Sequence, residues 1–310
     1  MSATSSDRNV LVREVGLRDG IQSLAPLSTE QKLQWFEREA AAGVRAFEIT
    51  SFVPARVIPQ FFDADQVVAG ARRRSEVSLS ALVLNEKGAQ RAIDAGIESI
   101  TFVVSASATH SGKNARTTPE EAMLVVERLI ASVAAMPSPP HIAAAISTAF
   151  GCTYEGYIDP SRVLGMAERF ARAGVNEIGL ADTVGFAGPR RVRELFEGLR
   201  AAVGDLPTSA HFHDTRGMGM ANVLAALEAG VRRFDSSLGA VGGCPFAPGA
   251  TGNIATEDLC FLLDEYGLET QVDLEHLLET RRWLKDLLPD ESLHGALSRA
   301  GLPRPLVSIH

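Results

Sequence analysis

Short apolar segments alternate along this chain with longer amphipathic ones. Runs of about four to eight residues rich in Val, Ile and Phe are typical of buried strands, whereas longer stretches with apolar residues on one face are typical of helices. The predicted strands lie at residues 10–15, 45–50, 77–84, 99–105, 141–147, 177–181, 208–213 and 232–236. The predicted helices lie at residues 28–42, after the loop 54–59, at 86–95, from 118, from 159, from 189, at 218–229 and at 256–266.

Glycines end four of the predicted helices in the same way. Gly43, Gly96, Gly174 and Gly230 each follow an alanine and precede the apolar start of the next strand, and glycine is the residue that most often stops a helix there. The strict alternation predicts an α/β fold, a single (β/α)8 TIM barrel of about 250 residues. A doubly wound open sheet is the alternative, but the chain lacks the GxGxxG fingerprint found in many such sheets. Residues 274–300 are predicted to be helical and to pack outside the barrel.

Composition and charge narrow the class of protein. The predicted catalytic domain spans residues 10–310, with a C-terminal helical extension from about residue 270, and the polar residues 1–9 are predicted to be a flexible tail. A formal charge of −8 without a basic run argues against nucleic-acid binding, and no apolar stretch approaches the roughly 20 residues of a membrane span. Three cysteines without a CxxC pair favour a reducing cytoplasm over a disulfide framework, and we interpret Cys152 and Cys260 as structural.

Polar side chains follow the carboxyl ends of the predicted strands, where barrel enzymes place their active sites. His211 and His213 are two residues apart, so a strand points both imidazoles to one face. Cys244 and Asn253 lie in a glycine-rich loop after the last strand. The full set is Glu14, Arg18, Asp19, Glu48, Asp182, His211, His213, Asp235, Cys244 and Asn253.

A divalent cation is the ligand that this set suits. Asp19, His211, His213 and Asn253 supply two oxygens and two nitrogens for Mg²⁺ or Mn²⁺ and leave positions for an anionic, oxygen-rich substrate. Arg18 could then bind a carboxylate or stabilise an enolate. Each residue also has a structural interpretation: the histidine pair as a polar strand edge, the aspartate as a turn residue, and the cysteine of the loop as a small apolar side chain.

At these residues the chain resembles the 3-hydroxy-3-methylglutaryl-CoA (HMG-CoA) lyases, metal-dependent barrels of a superfamily that shares an Asp-Arg-Glu trio. The resemblance runs from about Val12 to about Leu274, and the Gly-Gly-Cys-Pro sequence is its most lyase-like feature. The motifs that carry it are EVGLRDGIQ at 14–22, EITSFV at 48–53, FGCTYEG at 150–156, ADTVG at 181–185, HFHDT at 211–215, DSS at 235–237 and GGCPFAPGATGNIATED at 242–258.

The resemblance implies cleavage of the C2–C3 bond of HMG-CoA to acetyl-CoA and acetoacetate. It implies that the four residues named above hold the metal, that Arg18 stabilises the enolate oxygen and that Cys244 protonates the carbon as general acid. His211, or Asp182 acting through a water, is the implied base. The remaining implied roles are Glu48 orienting the arginine, Glu257 supporting the metal ligands from behind, and Gln22, Lys113 and Asn114 binding the substrate or its coenzyme A.

Three departures from the family pattern bear on the substrate. Ala108 stands where relatives usually carry an acid, Gly179 where many carry a serine, and Ser23 begins a segment without the familiar lysine. A related thioester such as isohexenylglutaryl-CoA or citramalyl-CoA is therefore an alternative substrate. A condensing acyltransferase and a catalytically silent acyl-CoA-binding barrel are the alternative functions. The resemblance also implies a homodimer and leaves the pathway open between leucine and terpenoid breakdown.

Overall fold

Eight parallel strands close into a barrel in the computed structural model, which describes residues 9–242 and 252–303. Each strand pairs with the next along the chain, and the eighth pairs with the first. This closure confirms the predicted TIM barrel and excludes the doubly wound sheet. The strands are β1 Leu11–Glu14, β2 Ala46–Ser51, β3 Ser78–Val83, β4 Ser99–Ser105, β5 His141–Ser147, β6 Glu177–Asp182, β7 Thr208–Phe212 and β8 Arg233–Ser236.

Helices cover the outside of the barrel, and their starts follow the capping signals in the sequence. Ser28 and Thr118 each form a capping box, in which the side chain accepts from the third helical N–H and that residue's side chain accepts from the cap N–H. The helices are α1 Thr29–Ala41, α2 Ala64–Ala71, α3 Glu86–Asp94, α4 Ala108–Asn114, α5 Pro119–Val133, α6 Pro160–Ala173, α7 Pro189–Val203, α8 Gly219–Glu228, α9 Thr256–Glu265, α10 Leu274–Leu287 and α11 Leu297–Ala300.

Two helical predictions need correction. The alternation is not strict, because two helices, α4 and α5, separate β4 from β5. Ser107 begins α4 by accepting a hydrogen bond from the His110 N–H at 3.1 Å, and this helix is too short to show a hydrophobic period. The continuous helix predicted at 274–300 is interrupted at 288–296, because the residue before Pro289 is restricted towards extended conformations.

The apolar core lies between the helices and the outer face of the barrel. Trp35 and Phe36 of α1 are fully buried, and the ring of Phe36 meets that of Phe47 on β2 with centroids 4.9 Å apart. By contrast, the interior of the barrel contains buried ionisable groups, among them Arg13 and Glu177. The barrel is therefore stabilised from outside by apolar packing and is polar within.

The N-terminal end of the described chain meets the segment that follows α9 through one bridge. The predicted tail lies outside them except for Asn9, which forms a parallel bridge with Glu269. Within residues 9–242 and 252–303, no helix combines the length and the apolar composition that crossing a membrane requires.

Candidate active site

A short π-helical turn at Gly16–Gly20 carries the first two functional side chains over the mouth of the barrel. The Val15 carbonyl accepts hydrogen bonds from the N–H groups of Arg18 and Asp19 at 3.0 and 2.7 Å, so both residues leave the end of β1 in one tight turn. Gly16 is required there, because a Cβ atom at that position would lie 2.7 Å from both Glu14 Oε1 and the Trp35 ring.

Asp19, His211 and His213 converge at the carboxyl end of the barrel. The His213 Nε2 atom lies 3.3 Å from Asp19 Oδ2 and 3.1 Å from His211 Nε2. The distance from His211 Nε2 to Asp19 Oδ2 is 3.8 Å. One ligand atom from each residue therefore lies within 4.8 Å of the other two, a spacing that a single cation can span.

Asn253 joins this cluster through backbone pairing with the end of β7. The N–H of Ile254 donates to the Phe212 carbonyl at 3.2 Å, and the N–H of Asp214 donates to the Gly252 carbonyl at 3.1 Å. The Asn253 Nδ2 atom then donates to Asp19 Oδ2 at 2.9 Å. Its Oδ1 atom is buried without a hydrogen-bond partner among the described residues.

The donor set fits a divalent metal. The Nε2 atoms of His211 and His213 face each other at 3.1 Å. At this distance at most one of the two atoms can carry a hydrogen, and the other then presents a lone pair. A cation there would satisfy both nitrogens and the unpaired Oδ1 of Asn253. One carboxylate, two imidazoles and one amide oxygen are ligands that Mg²⁺ and Mn²⁺ accept.

Arg18 lies between two carboxylates. Its Nε atom donates to Glu48 through a very short contact, and its Nη1 atom donates to Asp19 Oδ1 at 2.6 Å. Burial alone would raise the pKa of Asp19, but Arg18 and the two imidazoles hold that pKa well below its usual range. The predicted contact from Glu48 to Arg18 is thus present, and it fixes the guanidinium beside Asp19.

Asp235 orients His211 from the side away from the cluster. The His211 Nδ1 atom lies 3.3 Å from Asp235 Oδ2. An Nδ1–H that donates to this carboxylate leaves the Nε2 lone pair facing His213 and Asp19. Burial opposes the charged imidazole, but the hydrogen bond to Asp235 and the nearby Asp19 raise the pKa of His211.

Comparison with known proteins identifies the family. The sequence profile of the HMGL-like family matches residues 9–284. The chain belongs to the HMGL-like family.

Relatives of known name and structure cover nearly the whole chain. A hydroxymethylglutaryl-CoA lyase of Bacillus subtilis is 37% identical over 90% of this chain and 93% of its own. The (R)-citramalyl-CoA lyase of Chloroflexus aurantiacus is 36% identical over 96% of both chains. An HMG-CoA lyase of Acinetobacter baumannii, solved with coenzyme A and 3-methylmalate, superposes with a TM-score of 0.92 at 35% identity and covers 99% of this chain and 100% of its own.

Asp182, a predicted base in this HMGL-like chain, accepts one backbone hydrogen bond on each oxygen. Its two carboxylate oxygens accept from the N–H groups of Phe186 and Ala187 at 2.8 and 2.9 Å. Burial raises the pKa of Asp182, and the two backbone donors and His213 offset part of that increase. The carboxylate therefore shapes the turn after β6, beside the histidine pair.

Among the described residues, the hydrogen-bond partners of Glu257 lie outside the Asp19, His211 and His213 cluster. Its carboxylate accepts from the Gly239 N–H at 3.0 Å and from Arg281 Nε at 2.7 Å. It therefore links the turn after β8 to α10. The sequence placed Glu257 near Asn253 along the chain, but adjacency did not reveal that the first turn of α9 directs this side chain towards the C-terminal helix.

The predicted substrate and coenzyme A residues follow the carboxyl ends of β1 and β4. Lys113 and Asn114 are exposed at the end of α4, and the Lys113 ammonium lies 4.8 Å from the centre of the Tyr154 ring. Gln22 is half-buried just after the π-helical turn. Cys244, the predicted acid, lies outside the described residues.

Sequence reasoning missed a set of charges inside the barrel. It gave Asp235 no role although it placed the residue at the end of β8, and it did not consider Arg13, Glu177 or Arg233. Burial alone would raise the pKa of Glu177, but the two arginines lower it to about 2. The charged residues within the predicted strands β1, β6 and β8 were the available signal, because the inward positions of a barrel are normally apolar.

Proposed function

We propose that this chain is a divalent-metal-dependent carbon–carbon lyase that cleaves HMG-CoA to acetyl-CoA and acetoacetate. The observation that carries the proposal is the convergence of Asp19, His211 and His213 within 4.8 Å, with Asn253 hydrogen-bonded to that aspartate and Arg18 paired with it. Membership of the HMGL-like family and the lyase relatives support the reaction class.

The residues divide the chemistry between them. When bound, a divalent metal would polarise the substrate oxygens and acidify the C3 hydroxyl. Asp182, acting through a water, takes the hydroxyl proton. His211 is the alternative base only with its Nε2 atom free of the metal, because its Nδ1–H is donated to Asp235. The O–H electrons form the C3 carbonyl as the C2–C3 bond breaks, and the electrons of that bond pass to the acetyl-CoA enolate.

The enolate is stabilised and then protonated. Arg18 carries its charge beside Asp19 and is held by Glu48, so its remaining N–H groups are available to an enolate oxygen without a search through rotamers. In our proposal Cys244 delivers the proton to C2 as general acid, the role implied by the resemblance. The products are then acetyl-CoA and the ketone formed at C3.

A second substrate has specific support. The (R)-citramalyl-CoA lyase aligns over 96% of both chains, further along this chain than the Bacillus relative. Citramalyl-CoA also carries a hydroxyl on C3, so the same residues would act on it. We keep it as the second candidate. We also propose a homodimer, as the resemblance implies, and a cytoplasmic location, as the cysteine usage favours.

Acyl-CoA cleavage by the metal-stripped protein tests the proposal. HMG-CoA and citramalyl-CoA are supplied in parallel, with and without Mg²⁺ or Mn²⁺, and acetyl-CoA release is followed. We expect metal-dependent release from HMG-CoA. Release from citramalyl-CoA alone would retain the mechanism and change the substrate. Release from neither, by protein that binds Mn²⁺, would contradict the lyase proposal.

A further inference from the structure

We propose that Arg13 is a positioning residue for the metal site, acting on His211 through Asp235. The inference rests on the proposed function, since it assigns Arg13 a task in holding a metal ligand. Arg13 lies on β1 and does not belong to the Asp19, His211 and His213 cluster. Its effect on the metal must therefore pass through a neighbour.

Strand register aligns the three residues. Arg13 of β1 is the Cα partner of Asp235 on β8, and Asp235 is the Cα partner of His211 on β7. Paired residues of neighbouring parallel strands point to the same side of a sheet. Arg13, Asp235 and His211 therefore form one row across three adjacent strands inside the barrel.

Asp235 uses a different oxygen for each neighbour in this row. Its Oδ1 atom lies 3.2 Å from Arg13 Nε, and its Oδ2 atom lies 3.3 Å from His211 Nδ1. Neither Arg13 Nε nor Asp235 Oδ1 has a hydrogen-bond partner among the described residues. The two atoms thus meet as an ion pair rather than as a hydrogen bond. In our inference this pair holds one edge of the carboxylate while the other oxygen meets the imidazole.

Glu177 anchors the guanidinium from below. Its Oε1 atom accepts from Arg13 Nη2 at 2.6 Å, and both side chains are almost fully buried. Arg13 is thus held at two points, by Glu177 on β6 and by Asp235 on β8. Without Arg13 the buried Oδ1 atom of Asp235 would lose the cation that lies 3.2 Å away, and the imidazole would lose its fixed orientation.

Arg233 offers a matched control. Its Nη1 atom donates to the other oxygen of Glu177 at the same distance, 2.6 Å. Among the described residues Arg233 forms an ion pair with Glu177 and not with Asp235. Arg233→Met therefore removes a positive charge from the same acid while leaving the Arg13–Asp235–His211 row in place.

Mn²⁺ titration of the metal-stripped protein, followed by electron paramagnetic resonance of the free ion, tests the inference without turnover. Loss of a group that orients a metal-bound histidine typically weakens metal affinity by about 10- to 100-fold, and we expect that loss for Arg13→Met. Arg233→Met is expected to retain the wild-type affinity although it also loses an ion pair. Asp235→Asn, which keeps the Arg13–Glu177 pair, is expected to weaken Mn²⁺ binding as Arg13→Met does.

The outcomes separate this inference from the proposed function. Unchanged Mn²⁺ affinity in Arg13→Met, or equal losses in Arg13→Met and Arg233→Met, would overturn the positioning role while the metal site stands. If Arg13→Met does not fold, unchanged affinity in Asp235→Asn overturns it instead. Failure of the wild-type protein to bind Mn²⁺ would overturn both proposals.

Discussion

The Asp19 carboxylate has different partners on its two oxygens. Oδ1 accepts from Arg18 at 2.6 Å, and Oδ2 lies 3.3 Å from His213 and accepts from Asn253 at 2.9 Å. The anion is therefore held on one side by a permanent cation and presents its other oxygen to the proposed metal. Arg18 keeps this carboxylate ionised at acidic pH. Metal binding also requires neutral imidazoles, and the raised pKa of His211 moves that requirement to higher pH.

Asp19→Asn should remove the only anionic ligand of the proposed set. We expect Mn²⁺ affinity to fall by more than about 100-fold, since losing a ligand costs more than losing the group behind it. Electron paramagnetic resonance of free Mn²⁺ measures the change. Asp205→Asn, at an exposed position, is the control, and a variant at Asp19 with wild-type affinity would place the metal elsewhere.

Asp182→Asn distinguishes the two proposed bases. The amide keeps one acceptor oxygen for the turn after β6 but cannot take a proton. If Asp182 is the base through a water, kcat falls by about 100-fold or more while Mn²⁺ affinity is retained. If His211 is the base, we expect kcat to change less than about tenfold, through the altered turn alone. Loss of Mn²⁺ binding would show that the turn positions the histidine pair.

At the scale of elements, Glu177 joins three strands. From β6 it accepts hydrogen bonds from Arg13 on β1 and from Arg233 on β8, each at 2.6 Å. β6 is paired with β5 and β7 and is not a neighbour of β1 or β8 in the barrel. The ion pairs therefore cross the interior and tie distant parts of the sheet to each other.

Stability should depend on pH through this carboxylate. The pKa of Glu177 falls from 4.5 to about 2 on folding, so its contribution is complete above pH 4.5 and is lost as the pH falls through about 2. That displacement corresponds to about 3 kcal/mol. Urea unfolding of metal-free protein between pH 7 and pH 3 should show the difference between wild type and Glu177→Gln shrinking with acidity. A constant difference would contradict the assignment, and exposed Glu98→Gln is the control.

At the scale of the whole molecule, the C-terminal helices are tied to the turn after β8. Glu257 on α9 binds both the Gly239 N–H and Arg281 of α10. Asp258 accepts from the N–H groups of Ala296 and Leu297, at 2.6 and 2.8 Å, where α11 begins. Two neighbouring acids thus hold the two C-terminal helices against the barrel.

Arg281→Met should separate stability from metal binding. The substitution leaves Glu257 buried without its cation, and removing one partner of a buried ion pair costs about 3–5 kcal/mol. This cost is an upper bound on the loss of unfolding free energy, because the freed carboxylate can take up a proton. We expect lower unfolding free energy with unchanged Mn²⁺ affinity. Weaker Mn²⁺ binding at a temperature where the variant is folded would show that Glu257 does support the proposed metal ligands. Arg282→Met is the control, since Arg282 is largely exposed.

The sequence by itself determined the barrel and grouped the residues that are predicted to bind a metal. Strands and helices could be located because their hydrophobic periods are local, and eight repeats have few other closed arrangements. Asp19, His211 and His213 could be grouped because all parallel strands of a barrel end at one face. The predicted domain boundary at residue 10 and the role of Cys244 stay predictions.

Only the tertiary structure decided which residues hold the predicted metal ligands in place. Arg13 and Glu177 are separated by 164 residues and His211 and Asp235 by 24, and no local pattern specifies strand register across such distances. The direction of Glu257 and the short helix α4 were likewise set by packing and capping rather than by period. Side-chain direction at a fixed position depends on what surrounds it in space, which is why the sequence located the site and the fold arranged its support.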